Sequence, residues 1–269
     1  MRLVTTFITV FAASFAAASA LAADLPVGYW TTGQAQQILD KTQRVHLAPD
    51  LEALSSGERA AVKKLLEVGV IMQRLYETSR HPEALTAYDE LRSLDRSGTD
   101  PERTAALLDL YRLSKGPVTT TLENERIPFL PVAPETAGKN VYPAGATREA
   151  LEAAMAEKPE SRMRLLHLRS IVRRATSENL YQDVMTLQQR PALSVLHPGL
   201  QATLVAAGDN ARNDAFYAIP YSVAYADDLL RSHNLLHDAA AAVADDDPAF
   251  ARFLRNRARD LLTDHYESG

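Results

Sequence analysis

Apolar residues recur at helical spacing in several segments of the chain, and the first residues of these segments are typical helix caps. Ser55 and Glu58 form a capping box, and an apolar stripe follows as far as Tyr76. Asp100 and Pro101 open another helix. Further helices are predicted from His81-Pro82 through Leu94, after Thr147, from about Pro220 to Ala244, and from Asp247-Pro248 to about Tyr266. We therefore expect a mainly α protein, a multi-helix domain with a small irregular or β element in the middle.

The middle of the chain has a different pattern. Residues 117–143 contain five of the fourteen prolines and are predicted to form an extended, ordered connector, with β-prone residues at 118–122. Residues 164–176 and 192–197 mix apolar and polar positions and are predicted to be strands of a small sheet.

The first 22 residues have the pattern of a secretory signal peptide. Arg2 precedes an uncharged, mostly apolar run, and Ala20-Leu21-Ala22 is a small-x-small cleavage pattern. The alternative is a transmembrane anchor, but the run is rich in alanine and threonine. We predict cleavage before Ala23, a helical domain at 23–269 without a membrane segment, and a periplasmic or secreted location.

Composition and charge narrow the function classes. The 269 residues carry a formal net charge of −5, which argues against nucleic acid as a partner. The absence of cysteine excludes disulfides, thiolate metal sites and a cysteine nucleophile.

His233 and His237 are the candidate metal ligands, since two histidines four apart share one helix face. Zinc peptidases place a glutamate after the first histidine as the general base, whereas this chain has Asn234 there. Both histidines fall at the edge of the apolar stripe, where structural histidines are common. We expect no catalytic, cofactor-binding or metal residues, with this pair as the weak alternative.

The remaining charged clusters are predicted to be solvated surface. They are Asp245-Asp246-Asp247, Asp227-Asp228, Glu123 with Glu125, and the basic group Arg169, Arg173 and Arg174. No phosphate-binding glycine loop and no Gly-x-Ser-x-Gly sequence is present.

From residue 139 onward the sequence resembles bacterial relatives of dipeptidyl-peptidase III, a zinc metallopeptidase family. The resemblance covers most of residues 45–269. It rests on Leu54-Ser55, Lys139-Asn140-Val141-Tyr142-Pro143 with the helix led by Thr147, Ile219-Pro220-Tyr221, Tyr225, Leu229, Leu236, Ala239-Ala240, Phe253-Leu254, Arg257, Leu261-Leu262 and Tyr266-Glu267-Ser268.

The chain departs from this family in its chemistry. The family's zinc site is a His-Glu-x-x-Gly-His helix and a second helix with paired glutamates, and neither occurs here. The resemblance implies the N-terminal, non-catalytic part of such a peptidase: a truncated, split or naturally short relative. It implies zinc only if a C-terminal part is present. The expected partner is a peptide or a separate C-terminal peptidase half.

Two other functions stay open. One is a stand-alone periplasmic helical binding or interaction protein, and the other is a self-contained zinc hydrolase that uses His233 and His237. A peptidase-related module is expected to leave part of its final apolar stripe uncovered. That stripe consists of Phe250, Phe253, Leu254, Leu261 and Leu262.

Overall fold

The computed structural model describes residues 24–266, and this part of the chain is mainly helical. The helices are α1 (Thr32–Leu39), α2 (Ser56–Arg80), α3 (Ala84–Arg96), α4 (Pro101–Ser114), α5 (Arg148–Glu157), α6 (Arg162–Leu165), α7 (Ser177–Gln189), α8 (Pro191–Leu196), α9 (Leu200–Gly208), α10 (Tyr221–Ala224), α11 (Ala226–Ala242) and α12 (Pro248–Thr263). A short 3-10 turn at Pro159–Ser161 precedes α6.

Four short strands form two antiparallel pairs. β1 (Val118–Thr120) pairs with β2 (Arg126–Pro128), inside the proline-rich connector. β3 (Ser170–Arg174) pairs with β4 (Phe216–Pro220), and helices α7 to α9 lie between them in the chain. The expected class, mainly α with a small β element, is confirmed.

The core divides into regions that follow these elements. One region joins α1, α3 and α4 around buried Tyr111 and Phe129. A second covers β3 and β4 with α7, α9 and α11. A third packs α11 between α2 and α12, through small residues such as Ala239 and Ala258. Helix α11 therefore connects the β3–β4 region to the long helix α2.

The predicted caps at the helix starts are confirmed. The Ser55 hydroxyl accepts from the backbone N–H of Glu58, while the Glu58 carboxylate accepts from the N–H of Ser55. The Asp100 side chain accepts from the N–H of Arg103 at the start of α4. Both caps satisfy backbone donors that the first helical turn leaves unpaired.

Three predictions about individual elements are wrong. Residues 192–197 are not a strand, because Pro191 opens the short helix α8 and only Leu193 of that helix is buried. The helix expected at 220–244 is interrupted at Tyr225, whose φ of −120° and ψ of 39° separate α10 from α11. The last helix ends at Thr263, because Asp264 adopts a left-handed backbone with φ of 58°.

The 164–176 prediction holds only in part, since Arg164 and Leu165 belong to α6 and the strand spans Ser170–Arg174. The predicted signal peptide lies outside the described residues. Between residues 24 and 266 no helix is long and apolar enough to cross a membrane.

The final apolar stripe is covered unevenly. Leu254 and Leu262 are buried in the core, and Leu261 is half-buried. Phe250 and Phe253 are 37% and 44% exposed, and their rings stack with centroids 6.2 Å apart. The N-terminal half of α12 thus presents an aromatic pair at the surface.

Candidate functional site

A cavity lies where the β3–β4 pair meets the end of α12. It has a volume of about 430 Å³, and we call it the β3–β4 cavity. It is lined by Arg164, His167, Arg169, Ser170, His197, Leu200, Ala218, Pro220, Thr263, Asp264 and His265.

Three polar side chains from distant parts of the sequence meet beside this cavity. His197 follows α8, Ser222 lies in α10, and Asp264 follows α12. The His197 Nε2 lies 2.7 Å from the Ser222 Oγ, and that hydroxyl donates to an Asp264 carboxylate oxygen at 3.2 Å. Because Ser222 is fully buried, each of its contacts replaces a bond to water.

Burial shifts the proton affinity of both ionisable groups toward the neutral form. It lowers the pKa of His197, against the opposing influence of Asp264 and the backbone carbonyl of Leu262. Burial likewise raises the pKa of Asp264, although the Ser222 hydroxyl and His197 act in the opposite direction. Desolvation therefore has the largest effect on the pKa of both His197 and Asp264.

The order of these contacts does not suit nucleophilic catalysis. A catalytic triad places the histidine between the serine and the carboxylate, so that the imidazole takes the hydroxyl proton. Here the serine is in the middle, and its hydroxyl is inaccessible to a substrate. The arrangement instead ties α8, α10 and the residue after α12 together at the cavity wall.

Arg169 forms a second fixed part of this wall. Its guanidinium donates to the backbone carbonyl of Asp264 at 2.6 Å and lies 4.5 Å from the centre of the Tyr266 ring. The carbonyl and the aromatic ring hold the side chain in one place, which leaves its remaining N–H groups available.

The predicted histidine pair lies on α11, away from this cavity. The rings of His233 and His237 are 4.6 Å apart between centroids, and His233 Nδ1 lies 3.0 Å from the Ala258 carbonyl, to which it donates. Burial lowers the pKa of His237, and the nearby His233 and Arg255 lower it further. The two side chains are close together, and Asn234 between them in sequence is exposed.

These residues do not fit a catalytic zinc site. Such a site uses three protein ligands with an open position for water. Among residues 24–266, no group of three or more histidine or carboxylate side chains is placed to hold a metal ion. The described part of the chain therefore has no ligand set of the kind that a catalytic zinc ion needs.

Several carboxylates of the predicted surface clusters make contacts that hold the fold together. The Asp247 side chain caps α12 by accepting from the N–H of Phe250, and Asp246 accepts from the Ser55 hydroxyl. Asp227 pairs with Arg190, and Glu123 and Glu125 lie exposed in the β1–β2 turn.

The predicted basic group divides between two places. Arg173 forms an ion pair with the buried Asp183, and Arg174 lies over the Phe216 ring and donates to backbone carbonyls. Of these three arginines, only Arg169 lines the β3–β4 cavity.

The sequence pattern does not predict that His197, Ser222 and Asp264 meet in the fold. They are 25 and 42 residues apart in sequence, so no local spacing brings them together. The sequence feature that comes closest to indicating the cluster is Ile219-Pro220-Tyr221. The proline is the last residue of β4, and Ser222 follows it in the short helix α10.

Two solved structures of dipeptidyl-peptidase III share this fold. The one from Corallococcus sp. strain EGB matches with a TM-score of 0.64 and 24% identity, over 88% of this chain and 36% of that chain. The one from Caldithrix abyssi matches with a TM-score of 0.58 and 22% identity, over 81% and 33%. The comparisons with models of protein families and with curated proteins find no match.

The chain therefore has the fold of one part of dipeptidyl-peptidase III and spans about a third of the length of these structures. This confirms, at the level of the fold, the resemblance seen in the sequence.

Proposed function

We propose that this chain is an exported, non-catalytic module of the dipeptidyl-peptidase III type, which shapes a peptide-binding cleft together with a separate zinc-bearing part. The observation that carries the proposal is the fold match over most of the chain, combined with the absence of a His-Glu-x-x-Gly-His sequence among its 269 residues.

Chemical reasoning supports the non-catalytic role. Peptide hydrolysis by a zinc enzyme needs a metal-bound water and a general base to take its proton. Asn234 cannot act as that base, and the His197–Ser222–Asp264 contacts do not form a usable nucleophile. The module is thus inactive alone and acquires zinc only through its partner.

The surface of α12 supports a partner that packs on it. Phe250 and Phe253 stack on each other in the exposed part of the helix, while Arg257 lies 5.5 Å from the centre of the Phe253 ring. Covering two aromatic rings is favourable by roughly 25 cal/mol for each Å² of apolar surface removed from water.

The export step rests on Arg2, the apolar run after it and Ala20-Leu21-Ala22. The proposed location is periplasmic or secreted. N-terminal sequencing of exported material tests it, and we expect Ala23 as the first residue. Recovery of a membrane-bound chain that retains Met1 would contradict it.

The activity of the purified chain tests the proposal itself. We expect residues 23–269, with or without added zinc, to release no dipeptides from dipeptidyl arylamides. The genomic DNA near this coding region is then searched for a frame that encodes a His-Glu-x-x-Gly-His helix. If such a frame exists, its product is expected to bind the module and to hydrolyse the arylamides.

Variants on α12 identify the binding surface. Phe250→Ser with Phe253→Ser is expected to abolish association, whereas the exposed Tyr181→Ser on α7 leaves it unchanged. Chelator-sensitive hydrolysis by the module alone would overturn the proposal.

A second candidate is a stand-alone binding protein, and the burial of Leu254 and Leu262 favours it. These two residues are buried in the core under α12, as expected for a chain that folds without a partner. A monomeric, fully folded chain with no adjacent peptidase frame would favour this candidate.

A further inference from the structure

The β3–β4 cavity is rich in hydrogen-bond donors, although the whole chain has a net charge of −5. Arg164 and Arg169 line it, and Asp264 is the one carboxylate residue in its wall. Within the described residues, Arg164 forms no salt bridge, whereas the charge of Arg169 acts on the Asp264 carboxylate beside it. The cavity thus has more positive than negative charge at neutral pH, which favours an anionic ligand.

His167 adds a donor to this wall. Its Nδ1 accepts a hydrogen bond from the backbone N–H of Arg169 at 3.2 Å. An imidazole nitrogen that accepts has no proton, so the donor atom of this ring is Nε2. The donor is fixed by the same turn that carries Arg169.

The turn itself is held by the start of β3. The Ser170 hydroxyl contacts the carbonyl oxygens of Arg164 and His167, at 3.2 and 2.9 Å. This side chain is buried, and the Arg169 guanidinium is fixed by the Asp264 carbonyl and the Tyr266 ring. The backbone of the turn and the Arg169 guanidinium are therefore arranged before any ligand arrives, which reduces the entropic cost of binding.

A second, apolar cavity adjoins the first. It has a volume of about 600 Å³, includes Met163, Leu166 and Leu168 in its lining, and shares His167 and Arg169 with the β3–β4 cavity. Met163 and Leu168 are 83% and 90% exposed. Apolar side chains this exposed, next to anion-binding groups, fit a ligand that has an apolar body.

We infer that the two cavities form one binding site for an organic carboxylate with an apolar body. The carboxylate accepts from the Arg164 guanidinium and from His167, since a guanidinium matches the two oxygens of a carboxylate. The apolar body covers Met163 and Leu168. Two sources share this chemistry, the C-terminal residue of a peptide and a free aliphatic acid. This inference does not depend on the proposed function.

Titration of the 15N-labelled chain, residues 23–269, tests the site by NMR. The probes are N-acetyl-leucyl-leucine with a free carboxylate, the same dipeptide as its amide, hexanoate, and inorganic phosphate. We expect saturable shifts at residues 162–170 with the free dipeptide. If hexanoate binds as tightly as the free dipeptide, the site is one for free acids. If hexanoate binds more weakly than the free dipeptide, the site is one for peptide C-termini.

The amide and phosphate are expected to bind at least about tenfold more weakly, because one lacks the charge and the other lacks the apolar body. Equal binding of the amide or of phosphate, or no binding of either carboxylate, would overturn the inference.

Variants of the two donors localise the effect. Arg164→Gln is expected to weaken binding of the free dipeptide by about tenfold or more, because it removes a charged hydrogen-bond donor. The exposed Arg252→Gln on α12 changes the total charge equally and should have no effect. His167→Ala provides a second weakened variant, and thermal melts confirm that each variant folds. Equal weakening by Arg252→Gln would show a non-specific charge effect and reject the site.

Discussion

Tyr217 of β4 donates its phenolic O–H to a carboxylate oxygen of Asp183 on α7, at 2.6 Å. The other Asp183 oxygen contacts the Arg173 guanidinium on β3. One buried carboxylate thus joins both strands of the pair to the helix that lies between them in the chain. Burial raises the pKa of Asp183, since desolvation outweighs both partners.

Removal of this carboxylate is expected to destabilise the protein strongly. Asp183→Ala leaves the Arg173 charge and the Tyr217 hydroxyl without their partner, and we expect a loss of about 2–4 kcal/mol in the free energy of unfolding. Arg173 is 28% exposed, so water compensates in part. Chemical denaturation at pH 7 measures the change.

Two tyrosine variants serve as references for that measurement. Tyr217→Phe removes one hydrogen bond and is expected to cost about 1 kcal/mol. Tyr181→Phe on the same helix, at a side chain that is 61% exposed, should change stability by less than about 0.5 kcal/mol. An Asp183→Ala variant as stable as Tyr181→Phe would show that the network contributes nothing.

His197 predicts a pH dependence of stability below neutrality. Its pKa in the folded protein lies below the ordinary 6.5, because burial disfavours the imidazolium. Between the folded pKa and 6.5, the unfolded chain binds more protons than the folded one. Stability therefore rises with pH through this window and is lost as the pH falls through it.

His197→Gln is expected to flatten this rise, which urea unfolding between about pH 5 and 7 measures on the mature chain. His237 also has a lowered pKa and retains part of the slope. The exposed His46→Gln is the matched control for the substitution itself. An unchanged slope in His197→Gln would show that this histidine titrates normally in the folded protein.

The histidine pair on α11 is expected to bind zinc poorly. His233 donates to the Ala258 carbonyl, and no third ligand is placed beside the pair in residues 24–266. Calorimetric titration of residues 23–269 with zinc should show no stoichiometric site of micromolar or tighter affinity. Tight binding that either His233→Ala or His237→Ala abolishes would establish a metal site there.

The same two variants are expected to differ in their effect on stability. His233→Ala is expected to cost about 1 kcal/mol of stability, because the Ala258 carbonyl loses its side-chain donor. His237→Ala, at an exposed residue, should have little effect.

Local signals in the sequence account for much of the helical framework. The Ser55–Glu58 capping box and Asp100-Pro101 locate two helix starts, because the cap and the first turn are adjacent in sequence. The sequence pattern does not predict strand β4 or the helices α1, α7 and α9. The strand is short and pairs with a segment more than 40 residues away, so its stability comes from tertiary contact.

The β3–β4 cavity could not be predicted for the same reason. Its wall combines a turn after α6, the residue after α8 and the residues after α12. The left-handed backbone of Asp264 decides where α12 ends. Aspartate adopts this conformation more often than most residues, but it remains uncommon outside glycine, so the sequence alone does not predict it. Periodicity identifies helix faces, whereas this site is made by the ends of elements.

Two glycines of α2 give a matched test of close packing. A side chain at Gly57 would clash with the backbone carbonyl oxygen of Ala242 at the end of α11, and it would lie 2.6 Å from an Asp246 carboxylate oxygen. A backbone atom cannot move aside cheaply, so the first turn of α2 fits against α11 only without a Cβ. Gly69, in the same helix, has no heavy atom within 4 Å of an added Cβ.

Alanine is therefore expected to have opposite effects at these positions. Gly57→Ala should destabilise the protein by about 1–3 kcal/mol through overpacking, even though alanine favours a helix. Gly69→Ala should stabilise it by roughly 0.5–1 kcal/mol, because alanine loses less backbone entropy. Urea denaturation of both variants measures the difference. If both variants gained stability equally, helix propensity alone would explain the result, and the close approach of α2 to α11 would be wrong.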